Sequence, residues 1–138
     1  MGLLLRLAVF AGLGLDAYVH IKIAPDAGHT GTITATTLFW VQGVLAAVVA
    51  LLVLIRPRPV PYLIAFLVAA SALGAVLLYR YVDVGTLGPL PEMYEPVWYA
   101  DKVTAAVAEA VATVAAAIGV LYTRTGSTAA HRGSPARV

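Results

Sequence analysis

Four polar side chains stand within otherwise apolar stretches of the sequence and have the chemistry to bind a ligand: Asp16, His20, Gln42 and Glu109. Asp16 and His20 have i,i+4 spacing, so a helix presents both on one face. One imidazole and two carboxylates can bind a divalent metal such as Zn, Fe or Mn, which makes Asp16, His20 and Glu109 candidate metal ligands. The same groups can relay protons. They can also hydrogen-bond to the head of a lipid or quinone.

The composition predicts that these side chains lie in a membrane protein. Apolar residues make up 61% of the chain and charged residues 12%, with a mean hydropathy of +0.89. Soluble domains have about half their residues apolar and about a quarter charged, so the surplus must face lipid. The chain has no cysteine, which excludes thiolate metal sites and disulfides. It also has no basic stripe with interleaved aromatic residues, which excludes nucleic acid as a partner.

Four apolar stretches are long enough to cross a bilayer, which needs about 20 helical residues. They cover residues 3–23, 35–55, 60–81 and 103–122. Helices satisfy their own backbone hydrogen bonds inside lipid, so the sequence predicts an all-α bundle of four transmembrane helices. The first stretch has no clean small-x-small cleavage site, and we expect it to be an uncleaved span.

The distribution of basic residues predicts the orientation. With the N-terminus inside the cell, six arginines lie on the cytoplasmic side and three basic residues on the other side. The six are Arg6, Arg56, Arg58, Arg124, Arg132 and Arg137, and the three are Lys22, Arg80 and Lys102. Both termini are therefore predicted to be cytoplasmic. The preference for Ala, Val, Leu and Arg over Ile and Lys suggests a GC-rich bacterial genome, and hence the bacterial cytoplasmic membrane.

This topology predicts that three of the polar side chains share one depth. Asp16 lies about seven residues before the outer end of the first span, Gln42 about seven after the start of the second, and Glu109 about six after the start of the fourth. At a rise of about 1.5 Å per residue, all three lie roughly 10 Å below the outer boundary. Ionisable groups inside lipid normally point into the bundle or a water cavity. We therefore expect a polar layer in the outer half of the membrane.

Structural pairing is the alternative to a functional site. Asp16 can pair with His20, or with Lys22 or Arg80 through their long side chains. Glu109 can pair with Lys102 or bond to Gln42, and such polar contacts often hold membrane helices together. His29 can supply a second imidazole to a metal, but it lies in a Gly-flanked loop. The sequence requires no cofactor, and a quinone, a lipid and a divalent metal stay open.

The second outer loop, residues 80–102, is a further candidate because loops of this length are often functional. Its candidate residues are Arg80, Asp83, Glu92, Glu95 and Trp98. Tyr and Trp also anchor membrane proteins at the headgroup level, so an interfacial segment is the alternative. The tail, residues 123–138, has almost no apolar side chains and is predicted to be disordered and cytoplasmic.

Small residues recur at four-residue spacing on the fourth span, at Ala108, Ala112 and Ala116, and on the third at Ala70 and Gly74. This spacing lets helices approach closely, within the bundle or against another subunit. Together with the small size, it leads us to expect an accessory subunit of a larger membrane complex, without catalytic activity of its own. The partners would be lipid and a membrane protein or a second copy. The alternative is an outer-leaflet ligand, proton or metal site that serves membrane redox chemistry or transport.

Two segments carry a resemblance. The stretch from Asp16 to Pro25, and the stretch from Tyr79 through Gly85 and Glu92 to Trp98, resemble a group of small uncharacterised actinobacterial membrane proteins. In helix count and hydropathy the chain is also similar to the DoxX-like four-helix membrane proteins, although no diagnostic motif of that family matches residue by residue. The resemblance implies a four-helix membrane protein and adds no catalytic residue.

Overall fold

The computed structural model describes residues 1–132, with side chains described as far as residue 126. Its helices are α1 (Gly2–Ile23), α2 (Ala35–Ile55), α3 (Pro59–Tyr81) and α4 (Ala100–Arg132), and a short 3₁₀ turn (Ala24–Asp26) follows α1. Residues 1–132 contain no strand. All four helices are long and apolar enough to span a membrane. The predicted all-α fold of four membrane-spanning helices is confirmed.

Local sequence signals explain where the helices begin and end. Thr34 caps α2 by accepting a hydrogen bond from the backbone N–H of Thr37 at 3.1 Å. Pro59 and Pro61 occupy the first turn of α3, where a missing N–H costs nothing. The prediction of α2 matches the structure at both ends, and α1 and α3 each start one residue earlier than predicted.

The helices form a ring in chain order. α1 packs extensively against α2 and α4, α3 packs against α4 and less closely against α2, and the diagonal pair α1 and α3 hardly touches. Small and branched side chains fill the centre, including Val9, Leu13, Ala46, Ala65 and Ala112. Large apolar residues face outward along every helix. Because a lipid-exposed surface needs such residues, the fold is that of a multi-pass membrane protein.

Helix α1 approaches both of its neighbours at glycines. A Cβ atom added to Gly12 would lie 2.8 Å from the carbonyl oxygen of Ala108 and 2.9 Å from the Cβ of Ala112, both on α4. A Cβ added to Gly43 of α2 would lie 2.6 Å from the side chain of Ile21 on α1. These distances are shorter than real Cβ contacts, so any larger residue would push the helices apart.

The alanine stripe on α4 is used inside the chain. Ala108, Ala112 and Ala116 are all buried, and Gly12 of α1 packs against the first two. On α4, the small-residue spacing therefore serves helix packing within the chain. On α3, by contrast, an added Cβ at Gly74 would meet nothing within 4 Å.

The boundary of the tail differs from the prediction. α4 continues through Arg132, ten residues beyond the predicted end of the fourth span at Tyr122. The hydroxyls of Thr123 and Thr125 donate to the carbonyls of Gly119 and Leu121, so these polar residues bond to the helix itself. Residues 123–132 are thus described as helix, residues 133–138 lie outside the described residues, and the disorder of the tail stays a prediction.

We predict that Gly12→Leu destabilises the bundle by about 1–3 kcal/mol, because its side chain would overpack the contact with α4. Gly14→Leu is the matched control, since an added Cβ at Gly14 meets nothing within 4 Å. The measurement is equilibrium unfolding in mixed detergent micelles. Equal stability of the two variants would show that the Gly12 contact does not determine the packing of α1 on α4.

Candidate functional site

Three ionisable side chains from two helices meet inside the bundle. Asp16 and His20 of α1 and Glu109 of α4 each offer a ligand atom, and these atoms all lie within 4.8 Å of one another. Asp16 and Glu109 have no exposed surface, and His20 is 7% exposed. The cluster lies toward the end of the bundle that carries residues 24–34 and 82–99, which we name the loop-rich end.

Asp16 is the best-connected member of the cluster. Its Oδ2 accepts a hydrogen bond of 2.8 Å from the side-chain amide of Gln42 on α2. Its Oδ1 lies 2.7 Å from the Nδ1 of His20. The same Nδ1 lies 3.1 Å from the backbone carbonyl oxygen of Asp16. The edge-to-face contact of Phe39 with the imidazole, at 5.4 Å between ring centroids, then holds the ring in place.

Glu109 has no such support. Both of its carboxyl oxygens are buried, and neither has a hydrogen-bond partner among the described residues. The two predicted structural pairings of Glu109 do not form: Lys102 donates to the carbonyl of Glu95 at 2.5 Å, and Gln42 donates to Asp16. Buried polar groups in folded proteins are nearly always hydrogen-bonded. Oδ1 of Asp16 also lacks a hydrogen-bond partner among the described residues, although it lies 2.7 Å from the Nδ1 of His20. Structural pairing therefore accounts for Gln42 and for Oδ2 of Asp16, but not for Glu109.

The close helix contacts explain why these residues meet. Gly12 lies one helical turn before Asp16, and the residue that it contacts, Ala108, directly precedes Glu109. Gly43 directly follows Gln42. Each close approach of α1 to a neighbour thus brings a polar side chain of that neighbour within reach of Asp16.

The basic residues that were expected near the layer are bound elsewhere. Lys22 forms an ion pair with Asp101 at 2.9 Å, which joins α1 to α4 at the loop-rich end. Arg80 lies over the rings of Tyr81 and Trp98, at 4.9 Å and 5.6 Å from the ring centroids. Neither of the predicted pairings of Asp16 with Lys22 or Arg80 forms in the described part of the chain. The two carboxyls therefore face each other without a basic side chain between them.

The remaining outer-loop candidates make local contacts and do not join the cluster. The carboxylate of Asp83 accepts from the backbone N–H of Gly85 at 3.1 Å, and that of Glu95 accepts from Val97 at 3.3 Å. The Glu92 side chain is exposed. These contacts hold the loop in its conformation. Among the described residues, the loop side chains do not converge on a shared ligand position.

The aromatic residues of this loop are partly exposed, and their position at the membrane interface stays a prediction. Trp98 is 37% and Tyr99 is 43% exposed. Partial burial, with Glu95 and Asp101 nearby, raises the pKa of Tyr99, so its phenol stays neutral at physiological pH. Lys102 lies 5.4 Å from the Tyr99 ring centroid.

His29 lies apart from the cluster. His29 stands in the exposed loop before α2, and its Nδ1 is 3.3 Å from the hydroxyl of Thr36 in the first turn of α2. Among the described side chains, His20 therefore supplies the imidazole of the site. Phe39 is the site residue that sequence reasoning missed, because an aromatic residue in an apolar span carries no signal of its own.

Comparison of this chain with protein-family models, with curated proteins and with solved structures finds no match. The resemblance to actinobacterial and DoxX-like membrane proteins therefore stays a prediction, and the interpretation of the site depends on its geometry.

We predict opposite effects of the same substitution at Glu109 and Gln42. Glu109→Met leaves stability unchanged or raises it by about 1–4 kcal/mol, because an apolar group replaces a buried carboxyl without partners. Gln42→Met lowers stability by about 1–3 kcal/mol, because it leaves an oxygen of Asp16 unpaired. Both are measured by equilibrium unfolding in micelles. A clear loss of stability in Glu109→Met would instead make Glu109 a structural residue.

Proposed function

We propose that this chain is a membrane protein that holds an exchangeable cation in the Asp16–His20–Glu109 cluster, in the first instance a proton shared between the two carboxyls. The observation that carries this proposal is the buried, unpartnered carboxyl of Glu109 beside Asp16. Such a chain would take part in a proton-coupled process of its membrane.

The surroundings of the two carboxyls favour a bound proton. Two ionised carboxylates in a water-poor interior repel each other, and each also loses its hydration. A bound proton removes one of the charges and gives one carboxyl a hydrogen to donate to the other. Gln42 already holds one oxygen of Asp16, which leaves the other oxygen facing the rest of the cluster.

His20 is suited to pass the proton to and from this pair. Its side chain keeps 9% of its surface exposed, whereas that of Asp16 is fully buried. Its Nδ1 is within hydrogen-bonding distance of Asp16, and an imidazole can accept a proton at one ring nitrogen and donate one from the other. Exchange would then proceed between the loop-rich end, His20 and the carboxyls.

We predict that the protein at neutral pH has an infrared band of a protonated carboxylic acid, and that Glu109→Gln and Asp16→Asn each remove or shift it. Glu92→Gln, in an exposed loop carboxyl, is the matched control and leaves the band unchanged. The measurement is infrared difference spectroscopy in lipid, with H/D exchange to identify the band. Absence of the band from the folded protein at neutral pH would refute the shared proton.

The proposed setting is the bacterial cytoplasmic membrane, with both termini in the cytoplasm and the cluster in the outer half. The arginine distribution supports it: Arg6, Arg56 and Arg58 lie at the end of the bundle opposite the loop-rich end. The side chain of Arg6 donates to the backbone carbonyl of Leu54 there, which also ties α1 to the last turn of α2.

The absence of cysteine permits a direct test of this orientation. In intact cells, a membrane-impermeant maleimide is expected to label Gly28→Cys, in the first loop of the loop-rich end, but not Pro57→Cys in the opposite hairpin. Both variants should react after the membrane is permeabilised. The reverse labelling pattern would place the cluster in the cytoplasmic half.

The role of accessory subunit, with a membrane-protein partner or a second copy, stays a prediction. The alanine stripe that motivated it is buried within the chain, so the cation site is the function that the geometry supports better.

A further inference from the structure

We propose that this cluster also binds a divalent transition metal, Mn²⁺, Fe²⁺ or Zn²⁺, with Asp16, His20 and Glu109 as its ligands. This inference rests on the same side chains as the proposed function and deepens it by naming a second ligand class.

The geometry suits a single ion. The ligand atoms lie within 4.8 Å of one another, whereas two ligands on opposite sides of one ion are separated by about 4.2 Å, twice a bond of about 2.1 Å. Small changes in side-chain conformation, with the helices unchanged, would therefore bring the three ligand atoms within bonding distance of one ion. The unpartnered oxygens of Glu109, on a residue without exposed surface, are the ligand positions that nothing else in the described chain occupies.

The charge of the site favours a divalent ion. Two carboxylates and a neutral imidazole carry a charge of −2, which a divalent cation cancels and a monovalent cation only halves. Inside a membrane this difference is large, because a net charge away from water costs several kcal/mol. The basic side chains nearest this end are bound elsewhere, with Lys22 on Asp101 and Lys102 on Glu95, so they do not compete.

The donor set selects among divalent ions. Mg²⁺ and Ca²⁺ prefer shells made of oxygen ligands, whereas imidazole combined with carboxylates suits Zn, Fe and Mn. Three protein ligands leave at least one coordination position for water or another small ligand.

Gln42 is a positioning residue in this arrangement. Its amide donates to Oδ2 of Asp16 at 2.8 Å, which orients the carboxylate and leaves Oδ1 to face His20. Groups that orient metal ligands in this way typically change metal affinity by about 10–100-fold when they are replaced.

The test is isothermal titration calorimetry of the chelator-treated protein in mild detergent, with Zn²⁺ and Mn²⁺ as probes and Mg²⁺ and Ca²⁺ for comparison. We expect one Zn²⁺ or Mn²⁺ per chain and no saturable binding of Mg²⁺ or Ca²⁺.

Matched histidine variants separate the cluster from surface binding. His20→Ala is expected to abolish saturable binding, whereas His29→Ala leaves it unchanged. Gln42→Met is expected to keep one site per chain and weaken it by about 10–100-fold. Glu109→Met, which should preserve the fold, is a second variant expected to lose binding in case His20→Ala does not fold. Circular dichroism and size-exclusion chromatography verify the fold of each variant.

The possible failures are distinguishable. Equal binding by the wild type, His20→Ala and Glu109→Met would mean an adventitious ion only and would overturn the metal proposal. No saturable binding by the wild type, with the protonated carboxyl band still present, would overturn the metal proposal and leave the proton site. Loss of both signals would overturn both proposals.

Discussion

The close contact of α1 with its two neighbours is the constraint on which the rest of the structure depends. At Gly12 and at Gly43 there is no room for a Cβ atom, so the helix backbones approach one another directly. In a membrane, where lipid chains are as apolar as leucine, such packing replaces the hydrophobic effect as the force between helices. The approach also determines chemistry, because it places Glu109 on one side of Asp16 and Gln42 on another.

Within this packing, Glu109 differs from the other polar side chains of the cluster, because both of its carboxyl oxygens lack a hydrogen-bond partner in the described chain, whereas Asp16 lacks one only at Oδ1. Gln42, Asp16 and His20 form a connected set across α1 and α2, which is the usual way in which polar groups join membrane helices. Glu109 completes no hydrogen bond in the described chain. A residue kept for stability alone would be expected to have a partner, since an unpaired buried carboxyl is costly. This contrast makes Glu109 the residue on which the proposed cation site depends.

The charged side chains at the loop-rich end bind partners there and do not enter the cluster. Lys22 and Asp101 neutralise each other, and Arg80 lies on the rings of Tyr81 and Trp98. Lys22, Arg80 and Lys102 are thus bound away from the carboxyls of Asp16 and Glu109.

The sequence by itself determined the number of helices and most of their ends, since the apolar length needed to cross a bilayer leaves little choice. It also predicted the shared depth of Asp16, Gln42 and Glu109, because depth depends only on rise per residue. It did not determine the end of α4, which continues past Tyr122 with polar side chains bonded to the helix itself.

Only the tertiary structure decided which of the possible pairings form. Several partners were open to Asp16 and Glu109 on spacing alone, because depth does not determine how a helix is rotated about its axis. The packing of α1 against α4 at Gly12 and against α2 at Gly43 determines that rotation. It directs Gln42 to Asp16 and leaves Glu109 beside them without a partner, which no property of the individual residues specifies.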